Sequence, residues 1–197
     1  MVCSRIAFKV AATLLMTALA ACATAPSPGG GTPYSKPALE LCPGVIIANA
    51  PAATSTRRII GYQPFTELRG VMLARAPADA CVSSAYGPRN GGAGSFHEGV
   101  DLYTGTHSTV YAGGAGRIRY VGDQRGYGLT IEIAHRNGVV TRYAHLSDVS
   151  PGMRAGATVE AGHPIARTGR SGNATAVHLH YEILTDERPN DPLRLGD

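Results

Sequence analysis

Short segments in which apolar and polar residues alternate recur along the second half of the chain. Apolar side chains at every second position are typical of a strand with one buried face. The Arg-Asn-Gly stretch of residues 136–138 is a hairpin turn signal between two such segments. These patterns predict an all-β, antiparallel domain, either a sandwich or a partly closed barrel. The predicted strands are 110–112, 116–121, 129–135, 139–145, 163–168 and 177–184.

The segment before this domain has a weaker pattern. Residues 65–75, FTELRGVMLAR, fit either a short helix or an extended arm. We interpret residues 38–82 as an N-terminal extension that packs on a domain formed by residues 83–197.

The N-terminus has the pattern of a secretion signal. Arg5 and Lys9 precede a short apolar core, residues 10–20, which is too short for a stable membrane span. The core runs into Leu-Ala-Ala-Cys, which resembles the bacterial lipoprotein signal, in which the cysteine, here Cys22, is lipidated. The alternative is an ordinary signal peptide with an incidental cysteine after the cleavage site. In both interpretations residues 1–21 are the signal peptide.

Export of the protein also guides the interpretation of the segment after the signal and of the remaining cysteines. Residues 22–37 are rich in Pro, Gly, Ser and Thr, which is typical of a flexible tether. Because an exported protein meets oxidising conditions, we expect a disulfide between Cys42 and Cys81. The alternative is two buried thiols. A lipid on Cys22 would place the protein in the cell envelope, and the resemblance favours the outer membrane, facing the periplasm.

Composition limits the size and the class of the protein. The chain has 197 residues, of which 44% are hydrophobic, enough for one ordinary domain with its own core. Its 25 glycines and 13 prolines fit a turn-rich β protein. The formal net charge of +4 is scattered, without a basic run, so nucleic acid is not an expected partner.

Histidines supply the first candidate chemistry. In the predicted strand VHLHYEIL, His178 and His180 are two residues apart and therefore point to the same face. In the earlier stretch FHEGVD, His97 and Asp101 would lie about 13 Å apart on a straight strand, too far to share one metal. Gly99 permits the bend that would bring them together. His97, Asp101 and one histidine of the HLH pair then form the three-ligand set of a catalytic zinc.

These motifs, in this order, resemble the lysostaphin-type (LytM-type) zinc endopeptidases of peptidoglycan. The resemblance rests on FHEGVD, then YAHL, then HLH, and it extends over residues 83–195. The other stretches that resemble the family are SAYGPR (84–89), VYA (110–112), GYG (126–128) and NDPL (190–193). It implies a β fold of the duplicated-hybrid-motif type and one bound zinc ion.

The resemblance also implies roles for individual residues. The zinc ligands of the family correspond to His97, Asp101 and His180. The histidines that flank the attacking water correspond to His145 and His178, which makes them the candidate catalytic residues. One of the two takes the proton of the water, and the other stabilises the tetrahedral intermediate and the leaving amine.

Several other residues are weaker candidates. Arg89 either binds a carboxylate of the substrate or pins its own loop. Tyr143 either contacts the substrate or, as we favour, packs in the strand. His107, His135 and His163 are interpreted as ordinary structural or surface histidines.

The resulting hypothesis is a lipid-anchored, zinc-dependent endopeptidase that hydrolyses peptide cross-links of peptidoglycan. Its expected partners are peptidoglycan and, through the N-terminal lipid, a membrane. The alternative is a non-catalytic domain of the same fold that binds murein or activates a cell-wall amidase, with an amidase or a divisome protein as partner. The full set of five site residues favours the enzyme.

Overall fold

Antiparallel strands dominate the molecule. The structure, a computed structural model, describes residues 31–89 and 96–195. Within these residues the helical structure is a single 3-10 turn at Arg136–Gly138, and every strand pair is antiparallel. The predicted all-β antiparallel fold class is therefore confirmed. The strands are β1 (Phe65–Leu68), β2 (Val71–Ala74), β3 (Cys81–Ser84), β4 (Gly87–Pro88), β5 (Phe96–His97), β6 (Val100–Tyr103), β7 (Thr109–Tyr111), β8 (Gly116–Gln124), β9 (Gly128–Ala134), β10 (Val139–Val149), β11 (Thr158–Val159), β12 (Pro164–Thr168), β13 (His178–Thr185) and β14 (Arg188–Asn190).

One large sheet organises the domain. Its main path runs β11-β8-β9-β10-β13-β6-β3 and does not close into a barrel. The long strand β10 has two partners on the side opposite β9. Its first part pairs with β13 and its last part with β12, and β12 in turn pairs with β7. The sheet therefore branches where β10 changes partner, next to His145.

The core lies along the strands of this sheet. Leu102 of β6, Ile131 of β9 and Leu179 of β13 are completely buried. Burial of each such side chain contributes about 1.5–3 kcal/mol. Tyr143 and Tyr181 are also fully buried and pack with their ring centroids 5.3 Å apart. This core fixes β6, β10 and β13, the strands that carry most of the candidate site.

The segment 65–75 forms a hairpin of β1 and β2. The turn residues Arg69 and Gly70 both have positive φ, 50° and 76°, which is the conformation of a tight turn between twisted strands. The helical alternative for this segment was wrong, and the extended alternative agrees with the structure.

The segment before the family motifs is tied into the domain at several points. Leu39 and Leu73 are fully buried, and Leu41 forms a parallel bridge with Val82. The predicted disulfide between Cys42 and Cys81 is present and joins this segment to β3. Strand β3 pairs with β6 and spans the predicted boundary at residues 82 and 83.

The far N-terminus contributes no structural observation. The predicted signal peptide, Cys22 and most of the predicted tether lie outside the described residues. Among the residues that are described, no helix has both the length and the apolar character needed to cross a membrane.

Candidate active site

Asp101 and His180 face each other across a strand pair. Asp101 lies on β6 and His180 on β13, and the two are direct partners in the antiparallel register. His178 is two residues away on the same strand, and its side chain points to the same face. Both histidines are buried. The alternation of VHLHYEIL thus places two imidazoles beside one carboxylate.

His97 reaches the same place because the chain bends between β5 and β6. His97 ends β5, and Gly99 lies just before β6 begins at Val100. A Cβ on Gly99 would collide with the backbone carbonyl of Tyr181 and would lie 2.9 Å from the Cγ atom of Glu182. Gly99 therefore allows the bend to pass closely over β13, which brings His97 back beside Asp101.

The donor atoms of these three residues converge on one point. The Oδ1 atom of Asp101 lies 3.1 Å from Nε2 of His97 and 2.9 Å from Nδ1 of His180, and the two nitrogens are 3.0 Å apart. Zinc ligands at about 2.0–2.1 Å from a tetrahedral ion are about 3.3 Å from one another. The spacing and the His, Asp, His chemistry of this group therefore fit a zinc ion with an open position.

The second ring nitrogen of each of these histidines has a fixed partner. Nδ1 of His97 donates to the carbonyl oxygen of Ala85 at 2.8 Å, and Nε2 of His180 donates to Glu182 at 2.8 Å. Metal-binding histidines commonly have such a partner, since it fixes the tautomer and the ring orientation. Arg89 donates to the outer oxygen of Asp101, Oδ2, at 3.2 Å, which leaves Oδ1 facing the histidines.

His145 and His178 form the other half of the site. Their ring centroids are 4.8 Å apart. Nδ1 of His145 donates to the carbonyl oxygen of Ser171, and Nδ1 of His178 donates to that of Ala176. The Nε2 atom of His178 lies 3.6 Å from Oδ1 of Asp101. Both rings line the groove and keep Nε2 for proton transfer.

His145 has an unusual backbone. Its φ is +59°, in the left-handed region that non-glycine residues rarely adopt. It lies in the register shift between Tyr143 and Leu146 on β10. A bulge re-aims a side chain and is common next to active sites, and backbone strain of this kind concentrates at functional positions.

Electrostatics differ between the two halves of the site. Burial alone would raise the pKa of Asp101, but hydrogen bonds from His180 and His97 hold it well below its usual range. Burial opposes the charge of His180, yet the neighbouring Asp101 and Glu182 raise its pKa to about 9. Burial, with the imidazoles of His178 and His180 nearby, lowers the pKa of His145 to about 4. The ionised Asp101 is ready to bind a metal and the neutral His145 can accept a proton, whereas a metal that binds His180 must displace a proton from its ring.

The five histidine and aspartate side chains line a groove of about 430 Å³. The described residues that line it all fall between Arg89 and His180, so the segment 31–82 does not contribute to its walls. Phe96 is an exposed aromatic residue of the groove and packs edge-on against Tyr86.

Tyr143 is fully buried, and its hydroxyl accepts from Gly113 and donates to Thr141. The structure therefore places Tyr143 in the core and not among the described residues that line the groove, in agreement with the packing role.

The sequence interpretation missed three residues of the site. Glu182 contacts His180, Tyr127 lines the groove and donates its hydroxyl proton towards Glu182, and Ser171 accepts from His145. Glu182 had a signal, because it lies two residues after His180 and therefore on the same face of the strand. Ser171 bonds through its backbone carbonyl, which carries no sequence signal.

The remaining histidines lie outside the groove. Nδ1 of His107 donates to the carbonyl oxygen of Thr168, and Nδ1 of His135 donates to that of Ala115. His163 is exposed and lies immediately before β12. None of the three is among the residues that line the groove.

Comparison with known proteins agrees with this geometry. Residues 95–192 match the sequence profile of Peptidase family M23. The catalytic domain of the antimicrobial peptidase lysostaphin from Staphylococcus simulans is 30% identical, with a TM-score of 0.53, over 57% of this chain and 89% of that one. A zinc-containing peptidase from Vibrio cholerae is 28% identical, with a TM-score of 0.57, over 66% of this chain and 45% of that one. The chain belongs to peptidase family M23, and the resemblance to the lysostaphin-type peptidases is confirmed.

Curated relatives include lipoproteins, a peptidase and an activator. The lipoprotein YgeR of Escherichia coli is 37% identical over 60% of this chain, and the DD-carboxypeptidase/endopeptidase Mpg of Neisseria meningitidis is 38% identical over 51%. The murein hydrolase activator NlpD of Salmonella dublin is 32% identical over 61%. The matched part of this chain spans 45%, 23% and 30% of the lengths of these three relatives.

Proposed function

We propose that this protein is a zinc-dependent endopeptidase that hydrolyses peptide cross-links of bacterial peptidoglycan. The observation that carries the proposal is the convergence of His97, Asp101 and His180 on one point beside two further histidines in an open groove. Two relatives from Vibrio cholerae that are named as peptidoglycan DD-endopeptidases support the substrate class.

His97, Asp101 and His180 would hold one zinc ion. When bound, zinc lowers the pKa of a water molecule towards neutrality and polarises the carbonyl group that is cleaved. The pair His145 and His178 performs the proton transfers. One ring takes the proton of the attacking water, and the other stabilises the tetrahedral intermediate and protonates the leaving amine. The bonds of both Nδ1 atoms to backbone carbonyls keep the two rings in place for these steps.

The test measures zinc content and hydrolysis of purified cross-linked murein by the protein without its predicted signal peptide. We expect one zinc per chain and new peptide ends, with both lost in His180→Ala. Absence of zinc and of cleavage in the unmodified protein would refute the enzyme.

The similarity to an activator of murein hydrolases supports a second candidate function. In that case the groove would bind murein or a cell-wall amidase without hydrolysis. Zinc binding without any new peptide end, together with faster murein digestion by an added amidase, would favour the activator. The complete set of five site residues is the reason why we place the peptidase first.

The relatives that are named as lipoproteins support a location in the cell envelope. We propose that Cys22 is lipidated and that residues 22–37 tether the domain to the outer membrane, facing the periplasm. Metabolic labelling with a radioactive fatty acid, lost in Cys22→Ala, tests the anchor.

A further inference from the structure

A row of alternating charges crosses four neighbouring strands and ends at the candidate zinc site. We call its members, Arg119 of β8, Glu132 of β9, Arg142 of β10 and Glu182 of β13, the charge ladder. Successive members are joined by ion pairs of 2.7, 2.7 and 2.6 Å. Glu132 and Arg142 are direct strand partners, and so are Arg142 and Glu182. The strand register therefore fixes the three inner members of the ladder, whereas Arg119 reaches Glu132 from the register shift on β8.

The three inner members of the ladder are more buried than Arg119 at its outer end, and the side chain of Glu132 is 8% exposed. The side chain of Arg119 is 30% exposed, that of Arg142 is 12% exposed and that of Glu182 is completely buried. A buried carboxylate is costly unless its oxygens are fully paired. Arg142 donates to one oxygen of Glu182, and Tyr127 and His180 are both within 2.8 Å of the other. The position of this carboxylate is therefore held from three sides.

An ionised carboxylate can only accept hydrogen bonds. The Nε2 atom of His180, 2.8 Å from Glu182, must therefore carry a proton. In the neutral form of the ring, which is the form that binds a metal, the lone pair of Nδ1 then faces Asp101 and His97, where the three donor atoms meet. Glu182 thus selects both the nitrogen of His180 that is free to bind a metal and the direction in which it points.

We propose that Glu182, held by Arg142 and Tyr127, is a positioning residue that presents Nδ1 of His180 to zinc. The inference rests on the zinc site of the proposed function and adds the residues that prepare one of its ligands. If Glu182 only stabilised the fold, its ion pair with Arg142 would be sufficient. The contact between its other oxygen and the imidazole of His180 would then have no purpose.

The test compares two substitutions of similar size that both remove the charge. Glu182→Gln keeps an oxygen that accepts from His180, whereas Glu182→Met has no strong acceptor. Zinc affinity is measured on the purified protein by competition with a chromophoric chelator. We expect Glu182→Gln to stay within about threefold of the unmodified protein and Glu182→Met to bind zinc about 10- to 100-fold more weakly. The visible spectrum of the cobalt-loaded protein should change with the methionine variant and not with the glutamine variant.

Glu132→Met is the matched control, because it removes a partner of Arg142 without touching His180. We expect it to lower thermal stability and to leave zinc affinity unchanged. Equal zinc affinities of Glu182→Gln and Glu182→Met would overturn the inference, whatever the peptidase activity. A protein that binds zinc without cutting murein would instead contradict the proposed function and leave this inference intact.

A second measurement does not depend on the folding of a variant. Nitrogen-15 correlation spectra of the zinc-loaded protein report which ring nitrogen of His180 carries a proton. A proton on Nε2 is expected, and a proton on Nδ1, with zinc on Nε2, would overturn the inference.

Discussion

At the scale of single residues, the site separates into side chains that would bind the metal and side chains that would act on protons. His97, Asp101 and His180 have donor atoms within about 3 Å of one another. The Nε2 atom of His178 lies farther from Asp101, at 3.6 Å, and the ring of His145 lies beside the rings of His178 and His180, with centroid distances of 4.8 and 5.8 Å. The two sets should therefore respond differently to substitution.

We expect His145→Ala and His178→Ala to retain zinc while murein hydrolysis falls about 10²- to 10⁴-fold, the usual range for the loss of a general acid or base. Zinc content and the release of peptide ends are measured on the same preparation. His180→Ala is the comparison, since it should lose both. If either alanine variant also lost its zinc, that histidine would belong with the ligands.

The sequence predicted these residues better than their partners. His97, Asp101, His145, His178 and His180 lie in motifs that can be recognised without a structure. Glu182 takes part through the pairing of β13 with β10, which brings Arg142 against it. An alternating pattern predicts a strand but does not identify the strands beside it or their register. The contact between Arg142 and Glu182 therefore could not be predicted from the sequence.

At the scale of structural elements, the bend between β5 and β6 is the most sensitive feature of the site. Gly99→Ala places a methyl group against the carbonyl of Tyr181 and 2.9 Å from the Cγ atom of Glu182. Because β13 is packed in the core, β5 and β6 must move, and His97 should lose its position beside His180. We expect zinc affinity to fall about tenfold or more, as for other losses of support around a metal.

Chelator competition measures this change, with Gly44→Ala as the control. Gly44 also resists substitution, since its φ is +71°, but a Cβ there would meet no atom within 4 Å. The control should lose some stability and keep its zinc affinity. Equal zinc affinities of the Gly99 and Gly44 variants would show that the close approach of residue 99 to β13 does not affect the metal site.

The hairpin of β9 and β10 contains a chain of hydrogen bonds that needs a neutral histidine. Gly113 donates to the hydroxyl of Tyr143, which donates to Thr141, which donates to Nε2 of His135. Nδ1 of His135 in turn donates to the carbonyl of Ala115. Burial lowers the pKa of His135 below its ordinary value of 6.5. Below pH 6.5 the unfolded chain therefore takes up the proton before the folded protein does.

Stability should consequently be complete above about pH 6.5 and decrease as the pH falls towards the lower pKa of the folded state. The contribution of His135 to the loss of unfolding free energy has an upper limit of about 1.4 kcal/mol per pH unit. Urea unfolding at pH 7.5 and pH 5.5 measures this contribution as the difference between the unmodified protein and His135→Gln, because these two proteins share every other histidine. The loss should be smaller in His135→Gln and unchanged in His163→Gln, which alters an exposed histidine. Equal losses in His135→Gln and the unmodified protein would contradict the assignment.

The alternating pattern predicted six of the ten strands of the large sheet and missed β3, β6, β11 and β14, which have two to four residues each. Among the predicted strands the largest error is at β10, which was predicted to end at His145 and in fact continues to Val149. The prediction was wrong because the bulge at His145 inserts a residue and reverses which side chains point inwards. The hairpin of β1 and β2 stayed ambiguous because each strand has four residues, too few to separate helical from extended periodicity.

At the scale of the whole molecule, the segment before the family match is part of the folded body. The family profile begins at residue 95, whereas the buried residues Leu39, Ile59 and Leu73 belong to the same core cluster as Leu102 and Leu179. The sequence could not show this, since residues 38–64 have no clear periodicity and their packing follows from contacts distant in the chain. This segment supports the domain from outside the groove, because the described residues that line the groove begin at Arg89.

We therefore expect a shortened chain of residues 83–197 to be strongly destabilised, not activated. Loss of Leu39 and Leu73 alone removes about 3–6 kcal/mol of burial, against a total stability of about 5–15 kcal/mol for a typical domain. The double variant Cys42→Ser, Cys81→Ser keeps these side chains and should lose about 3–4 kcal/mol, as expected for a bridge between residues 39 positions apart. Urea unfolding and limited proteolysis rank the three proteins, with the shortened chain the least stable. A shortened chain that unfolds at the original urea concentration and cuts murein faster would mean that the segment covers the groove in solution and does not support the core.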